Sequence, residues 1–291
     1  MTGPDAVVVG SGPNGLTAAA VLARAGLQVL VLEAADSPGG GARSFDPIGS
    51  GAIHDLCASV HPMGAASPAF AALDLSGHGL SWVEPPILAA HPLADGRGAA
   101  LHRSVGLTVE ALGPDGPSYR RHLGRLTDGW DSWAPLTRQP LVEALSPVPG
   151  QLRFGLTSMR SAAAVARDWF ENDVSRALWA GVAAHSFAPL TDPMTAGFGV
   201  SLICAGHRFG WPFARGGSQA IVEALSEVVS VHGGRIETSR PVSSLAELEG
   251  TPTVLLDTSA RVAARILSGR QPRLRRRAYR RMRQGPGVHK V

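Results

Sequence analysis

Residues 10–15 read Gly-Ser-Gly-Pro-Asn-Gly, and their setting constrains the fold more than any other stretch. An apolar run, Asp5–Val9, comes just before them. From Asn14 to Ala25 the residues Leu16, Ala19, Ala20, Leu22 and Ala23 then recur at helical spacing. Gly26 ends that helix, and Gln28–Glu33 (QVLVLE) reads as a second buried strand. Strand, Gly-rich turn, helix and strand in this order predict parallel strands joined by a right-handed crossover. Gly10 allows the tight turn, Gly12 a close approach of backbone to a pyrophosphate, and Gly15 close packing of helix on strand. The helix start, with Ser11, Pro13 and Asn14 in the turn, offers unpaired N–H groups and partial positive charge to phosphates. Glu33 ends the second strand, where a carboxylate accepts hydrogen bonds from both hydroxyls of an adenosine ribose and repels a 2′-phosphate. The expectation is dinucleotide binding; a Rossmann unit kept only as scaffold is the alternative.

A second cluster bears on which dinucleotide. After Glu33 and Ala34 the chain reaches Gly39, Gly40, Gly41 and then Arg43. A plain NAD site has no need of a glycine run and an arginine at this point. FAD lies extended, so a further loop must close over its pyrophosphate; glycines permit that approach, and a guanidinium neutralises the diphosphate with a fork of donors. A surface turn with a solvated arginine is the plainer account of the same residues.

The spacing E-x5-GG-x2-R after GxGxxG resembles the FAD-binding front of the amine-oxidase and phytoene-desaturase superfamily. Within it, GSGPNGL (Gly10–Leu16), HDLCASVHPM (His54–Met63), GWPFARGGSQAIVEAL (Gly210–Leu225) and YRRMRQGPGVHKV (Tyr279–Val291) are similar to the phytoene-desaturase-like NAD(P)/FAD-dependent oxidoreductases. The resemblance runs from Ala6 to Val291. It implies FAD as cofactor, with Gly10, Gly12, Gly15, Glu33, Gly39, Gly40 and Arg43 at contacting positions, and Val242 meeting the adenine through its backbone. It also implies hydride removal from an apolar or weakly polar organic substrate, by a dehydrogenase or desaturase. Such proteins continue past GPGVHKV into a Gly-rich segment covering the flavin. Hence the resemblance implies a C-terminally truncated chain, and exposed apolar surface that favours self-association or a partner. A non-catalytic nucleotide-binding remnant and an NAD-dependent dehydrogenase stay open as alternatives.

The implied fold is α/β, a discontinuous Rossmann-like FAD-binding domain with an inserted, mainly helical domain for substrate. Residues 1–72 and 214–270 are expected to form the flavin domain and 73–213 the insertion, with a basic tail over 271–291. Helical patches are predicted over Ser161–Glu171, Asp173–His185 and Ser218–His232, and strands over Arg235–Thr238 and Thr253–Asp257.

The chain has 291 residues, enough for a substantial core, and 44% apolar against 17% charged residues makes it an ordered protein. A sequence pI near 9.8 suggests nucleic acid as a partner. Its source argues otherwise: Gly269–Val291 holds nine Lys or Arg and no acid, and the remainder has 18 basic against 23 acidic residues, a net of −5. A terminal cluster is not a basic face, so no nucleic-acid partner is expected. In that tail Arg276, Arg280 and Arg283 lie on one helical stripe and Leu274, Ala278 and Met282 on another, as in a solvated helix with ordinary packing.

Cys57 and Cys204 form no CxxC, which excludes a redox disulfide of the disulfide-reductase kind and a four-cysteine zinc site; both read as small core residues. No metal is expected. The longest apolar run, Thr195–Gly206, is Gly-broken and too short to span a bilayer, so a cytoplasmic location is expected, with peripheral membrane contact open. His54, Asp55 and His61 suggest acid–base chemistry, but holding the loop or the flavin suits them equally, so no catalytic residue is assigned.

Overall fold

The computed structural model describes residues 3–138 and 149–282. In chain order the elements that matter here are β1 (Ala6–Val9), α1 (Pro13–Arg24), β2 (Val29–Leu32), β3 (Ser44–Phe45) and β4 (His54–Asp55). Then follow β5 (Trp82–Val83), β6 (Ala89–Pro92), β7 (Gly98–Leu101), α2 (Ala162–Trp169), α3 (Asp173–Ala183) and α4 (Thr195–Phe209). Last come β8 (Phe213–Ala214), α5 (Gln219–Val231), β9 (Arg235–Glu237), β10 (Thr253–Leu256), α6 (Ala260–Ile266) and α7 (Arg273–Arg281).

The described residues divide into two compact units, one of 3–61, 67–83 and 213–282, the other of 62–66, 84–138 and 149–212. In the first, β10, β1, β2 and β9 form a parallel sheet in that order, with Val7 opposite both Leu30 and Val254. All four residues of β1 are buried, as a central parallel strand covered on both faces requires. Helices α1 and α5 cover one face through Leu16, Ala19, Ala20 and Ala23 on α1 and Ile221, Val222, Leu225, Val228 and Val229 on α5. Leu73, Leu75 and Leu80 join this layer. The other face packs Val7, Val9 and Leu32 against Leu248 and Ile266, with Val242 half-buried beside them.

The periodicity of α5 places its stripe as predicted, and Gly233 follows its cap with φ of +81°, the left-handed turn that stops a helix.

The second unit is mainly helical, built on Trp133, Trp179, Tyr119, Leu123, Leu126 and Ile203, with the β6–β7 hairpin contributing Leu101. Its central helix, α4, takes in the run Thr195–Gly206, and its glycines have a packing role. A Cβ on Gly199 would lie 3.0 Å from the Trp179 ring, and one on Gly206 would lie 3.2 Å from Trp211. Those glycines are notches for indoles, and tertiary packing overrides their poor helix propensity.

Helix α7 is solvated as expected, but its apolar stripe is not packed. Leu274, Ala278 and Met282 are exposed instead of packed. Residues 283–291 of the expected basic tail, Arg283 among them, lie outside the described residues. Among the described residues no helix is long and apolar enough to cross a membrane, and no cluster of His, Cys, Asp and Glu could hold a metal ion.

Candidate functional site

The site grows from the end of β1. Gly10 has φ of +100°, and a Cβ there would lie 2.2 Å from the carbonyl oxygen of Asp257. Only glycine fits. The chain then enters α1 with Gly12 at the cap and Pro13 in the first turn, a position where the missing N–H costs nothing. No hydrogen bond engages the amides of Gly12 and Asn14 within the described residues, and the Asn14 side chain is exposed. Gly15 differs, because its N–H donates to Asp257 Oδ2 at 2.8 Å.

Ser11 is fully buried and joins three segments. Its amide donates to Glu33 Oε2 at 2.9 Å and its hydroxyl donates to the same oxygen, while the amide of Gly39 donates to Ser11 Oγ at 3.1 Å. Glu33 Oε1 accepts from the amide of Ala35 at 2.9 Å. Burial would raise the Glu33 pKa, but the hydrogen bonds from Ala35 and Ser11, with the Arg43 charge, outweigh it and hold the carboxyl below its ordinary range. Three donors leave acceptor capacity on a group with about four lone-pair sites. Ala34 beside it is exposed.

The glycine run folds back over the first turn. Gly39 and Gly40 take φ of +124° and +54°, and a Cβ on Gly40 would lie 3.2 Å from Gly12 Cα. A Cβ on Gly41 would meet Cys57 Sγ at 3.2 Å. Arg43 Nε donates to the carbonyl of Gly40 at 3.0 Å; no described residue takes its two terminal nitrogens, which keep their donors. So β1, β2 and the Gly39–Arg43 loop bring residues 10–15, Glu33, Gly39, Gly40 and Arg43 together. The Val242 side chain packs on the sheet face with Val7 and Val9.

His54 and Asp55 form β4, paired antiparallel with β3. Asp55 Oδ1 accepts from Ser44 Oγ at 2.6 Å and from the amide of Ser218, at the start of α5, at 2.7 Å. His61 Nε2 lies 2.8 Å from Ser218 Oγ, and its ring is tilted against Trp82 at 6.0 Å. Burial would raise the Asp55 pKa; the hydrogen bonds from Ser44, Ser218 and Ser59 outweigh it and lower it. Asp55 thereby caps α5 and clamps the β3–β4 hairpin to it. Gly217, with φ of +90°, lets the chain pass Ser44, where a Cβ would lie 2.6 Å from its hydroxyl oxygen.

Asp257 is the residue that sequence reasoning missed. It directly follows β10, and its amide extends the ladder by donating to the carbonyl of Val9 at 2.8 Å. Nothing in the local pattern announces this partnership with a turn 242 residues earlier.

Residues 8–74 match the NAD(P)-binding Rossmann-like domain. A limonene dehydrogenase subunit of Castellaniella defragrans is 35% identical over 108 residues, which cover 37% of this chain and 19% of that protein. Among solved structures, a protein of Pyrococcus furiosus superposes over 96% of this chain and 65% of its own, with TM-score 0.64 and 17% identity. An oxidoreductase of Methanosarcina mazei covers 94% and 63%, with TM-score 0.61 and 18% identity. A variant of putrescine oxidase covers 95% and 63%, with TM-score 0.61 and 19% identity. The chain thus spans less than two thirds of these solved proteins and a fifth of the curated one. The match to an NAD(P)-binding Rossmann-like domain is confined to residues 8–74, and the chain shares its α/β fold with these solved oxidoreductases.

Proposed function

We propose that the chain is the dinucleotide-binding part of an FAD-dependent oxidoreductase of the dehydrogenase or desaturase type, acting in the cytoplasm on an apolar or weakly polar organic substrate. One observation carries the reading. The Gly39–Arg43 loop lies on the GxGxxG turn, pinned through Ser11 to Glu33, and presents unused donors on Arg43, Gly12 and Asn14 beside unused acceptor sites on Glu33. That donor set fits a diphosphate flanked by a ribose.

In this reading Glu33 accepts from the ribose hydroxyls of the adenosine half. Its fixed orientation comes from Ser11 and Ala35, so little ordering is needed on binding. The amides of Gly12 and Asn14 and the guanidinium of Arg43 hold the diphosphate, Gly10, Pro13, Gly15 and Gly41 shape the turn around it, and Val242 meets the adenine through its backbone. The bound flavin would supply hydride acceptance. Asp55 and His61 serve as clamp residues for α5. Exposed Phe45, Ile48, Ile53, Leu56 and Val60 crowd the segment around the β3–β4 hairpin and support self-association or a covering partner.

The test is a visible absorption spectrum after incubation with FAD and desalting. Retained flavin bands, lost in Arg43→Ala, support the reading. Saturable NAD binding without flavin retention would replace it with a nicotinamide-dependent dehydrogenase. Retained flavin that no organic hydride donor reduces would point to a nucleotide-binding protein without catalysis.

A further inference from the structure

A carboxylate sits where this site should be most attractive to anions. Asp257 Oδ2 accepts the Gly15 N–H at 2.8 Å, and a Cβ on either Gly12 or Gly15 would lie 2.8 Å from the same oxygen. The acid therefore covers the face of the turn and helix start that those two glycines keep open. Helix N-termini attract negative charge through unpaired amides and the summed backbone dipole. Here one of those amides is already taken, by a negatively charged side chain of the same chain.

We propose that Asp257 is a built-in competitor for the dinucleotide diphosphate: it caps the start of α1 when no ligand is bound, and its charge opposes the phosphates when one is. This deepens the dinucleotide reading and rests on it. Two features favour competition over a purely structural cap. Asp257 is already anchored through its own backbone amide to Val9, so its side chain is not needed to hold the end of β10. The compensating cation, Arg43, uses only Nε internally, so the site has positive charge to offset the acid when phosphate arrives. The balance of the two would set how tightly the dinucleotide is held.

The experiment compares the full chain with Asp257→Asn, which keeps an oxygen acceptor for the Gly15 N–H but removes the charge. Binding is titrated for FAD, for ADP, which keeps the diphosphate, and for adenosine, which lacks it. The expected result is FAD and ADP about tenfold tighter in Asp257→Asn with adenosine unchanged, the order expected for one charge removed from a partly screened anion site. Asp257→Ser, which keeps a shorter acceptor, should give the same pattern, and decides the matter if the asparagine variant does not fold. FAD and ADP affinities equal to or weaker than wild type in the folded variant would overturn the inference alone. No FAD or ADP binding by wild type or either variant would overturn it together with the dinucleotide reading.

Discussion

Replacing Gly15 by alanine should cost stability with no ligand present. The added methyl would lie 2.4 Å from the carbonyl oxygen of Gly10 and 2.9 Å from Asp257 Cβ. The first contact is backbone and cannot swing away. Overpacking of this kind costs about 1–3 kcal/mol. Asp257 must give way as well, and its hydrogen bond from the Gly15 amide is worth about 1.5–3 kcal/mol for a charged partner. Alanine's better helix propensity returns about 1 kcal/mol. The net loss is about 1.5–5 kcal/mol, and a loss of about 3 kcal/mol lowers the thermal midpoint by roughly 6–12 °C for a domain of this size. Gly155→Ala is the control, because Gly155 is also helical but has nothing within 4 Å of a built Cβ; it should be neutral or stabilise by up to about 1 kcal/mol. Urea unfolding followed by far-UV circular dichroism reads both variants. A Gly15→Ala midpoint within error of wild type would refute the close packing of Asp257 on the turn.

Other consequences can be measured on the same protein. Glu33 and Asp55 have folded pKa values below their unfolded ones, so the unfolded state binds more protons in that window. Their stabilisation should be complete above the ordinary carboxylate range of about pH 4 and fade as pH falls through the folded values, with a shallower slope in Glu33→Gln. Asp55→Ala removes the shared acceptor of Ser44 and the Ser218 amide and should destabilise by about 1–3 kcal/mol, whereas Ser218→Ala keeps the amide contact and should cost less. Cys204 is buried, and burial pushes its thiol up to about 12, while Cys57 is exposed. Ellman's reagent should therefore titrate one thiol in the folded chain and two after denaturation.

The parts of the site legible in the sequence are those written within one strand–helix–strand unit. Residues 10–15 and Glu33 are tied by the fixed length of a crossover, and Gly39–Arg43 follows directly on the strand, so spacing carries the information. Long-range meetings leave no such trace. Asp55 finds the start of α5 across 163 residues, and Asp257 finds Gly15 across 242. Both meetings depend on which strands neighbour in the sheet and on where the chain returns, not on periodicity. Helix α4 shows the same limit, since Gly199 and Gly206 act as seats for Trp179 and Trp211, neighbours that local spacing does not name.

The same distinction bears on how far the glycine signature itself reaches. Gly12 would meet only the Asp257 carboxylate, but Gly10 and Gly15 stand where a side chain would run into backbone carbonyl oxygens, so the fold demands those two, ligand or not. A scaffold that had stopped binding nucleotides would still need them. In the proposed function, binding is then carried by groups whose bonding capacity the fold leaves unused, namely the terminal nitrogens of Arg43, the amides of Gly12 and Asn14, and the remaining acceptor sites of Glu33. Arg43→Ala separates the two roles. It removes one hydrogen bond to Gly40 and the charge beside Glu33, so stability should fall by about 1 kcal/mol, while ADP affinity falls about tenfold or more. Equal ADP affinity in a stable Arg43→Ala protein would leave the glycines explained by the fold alone.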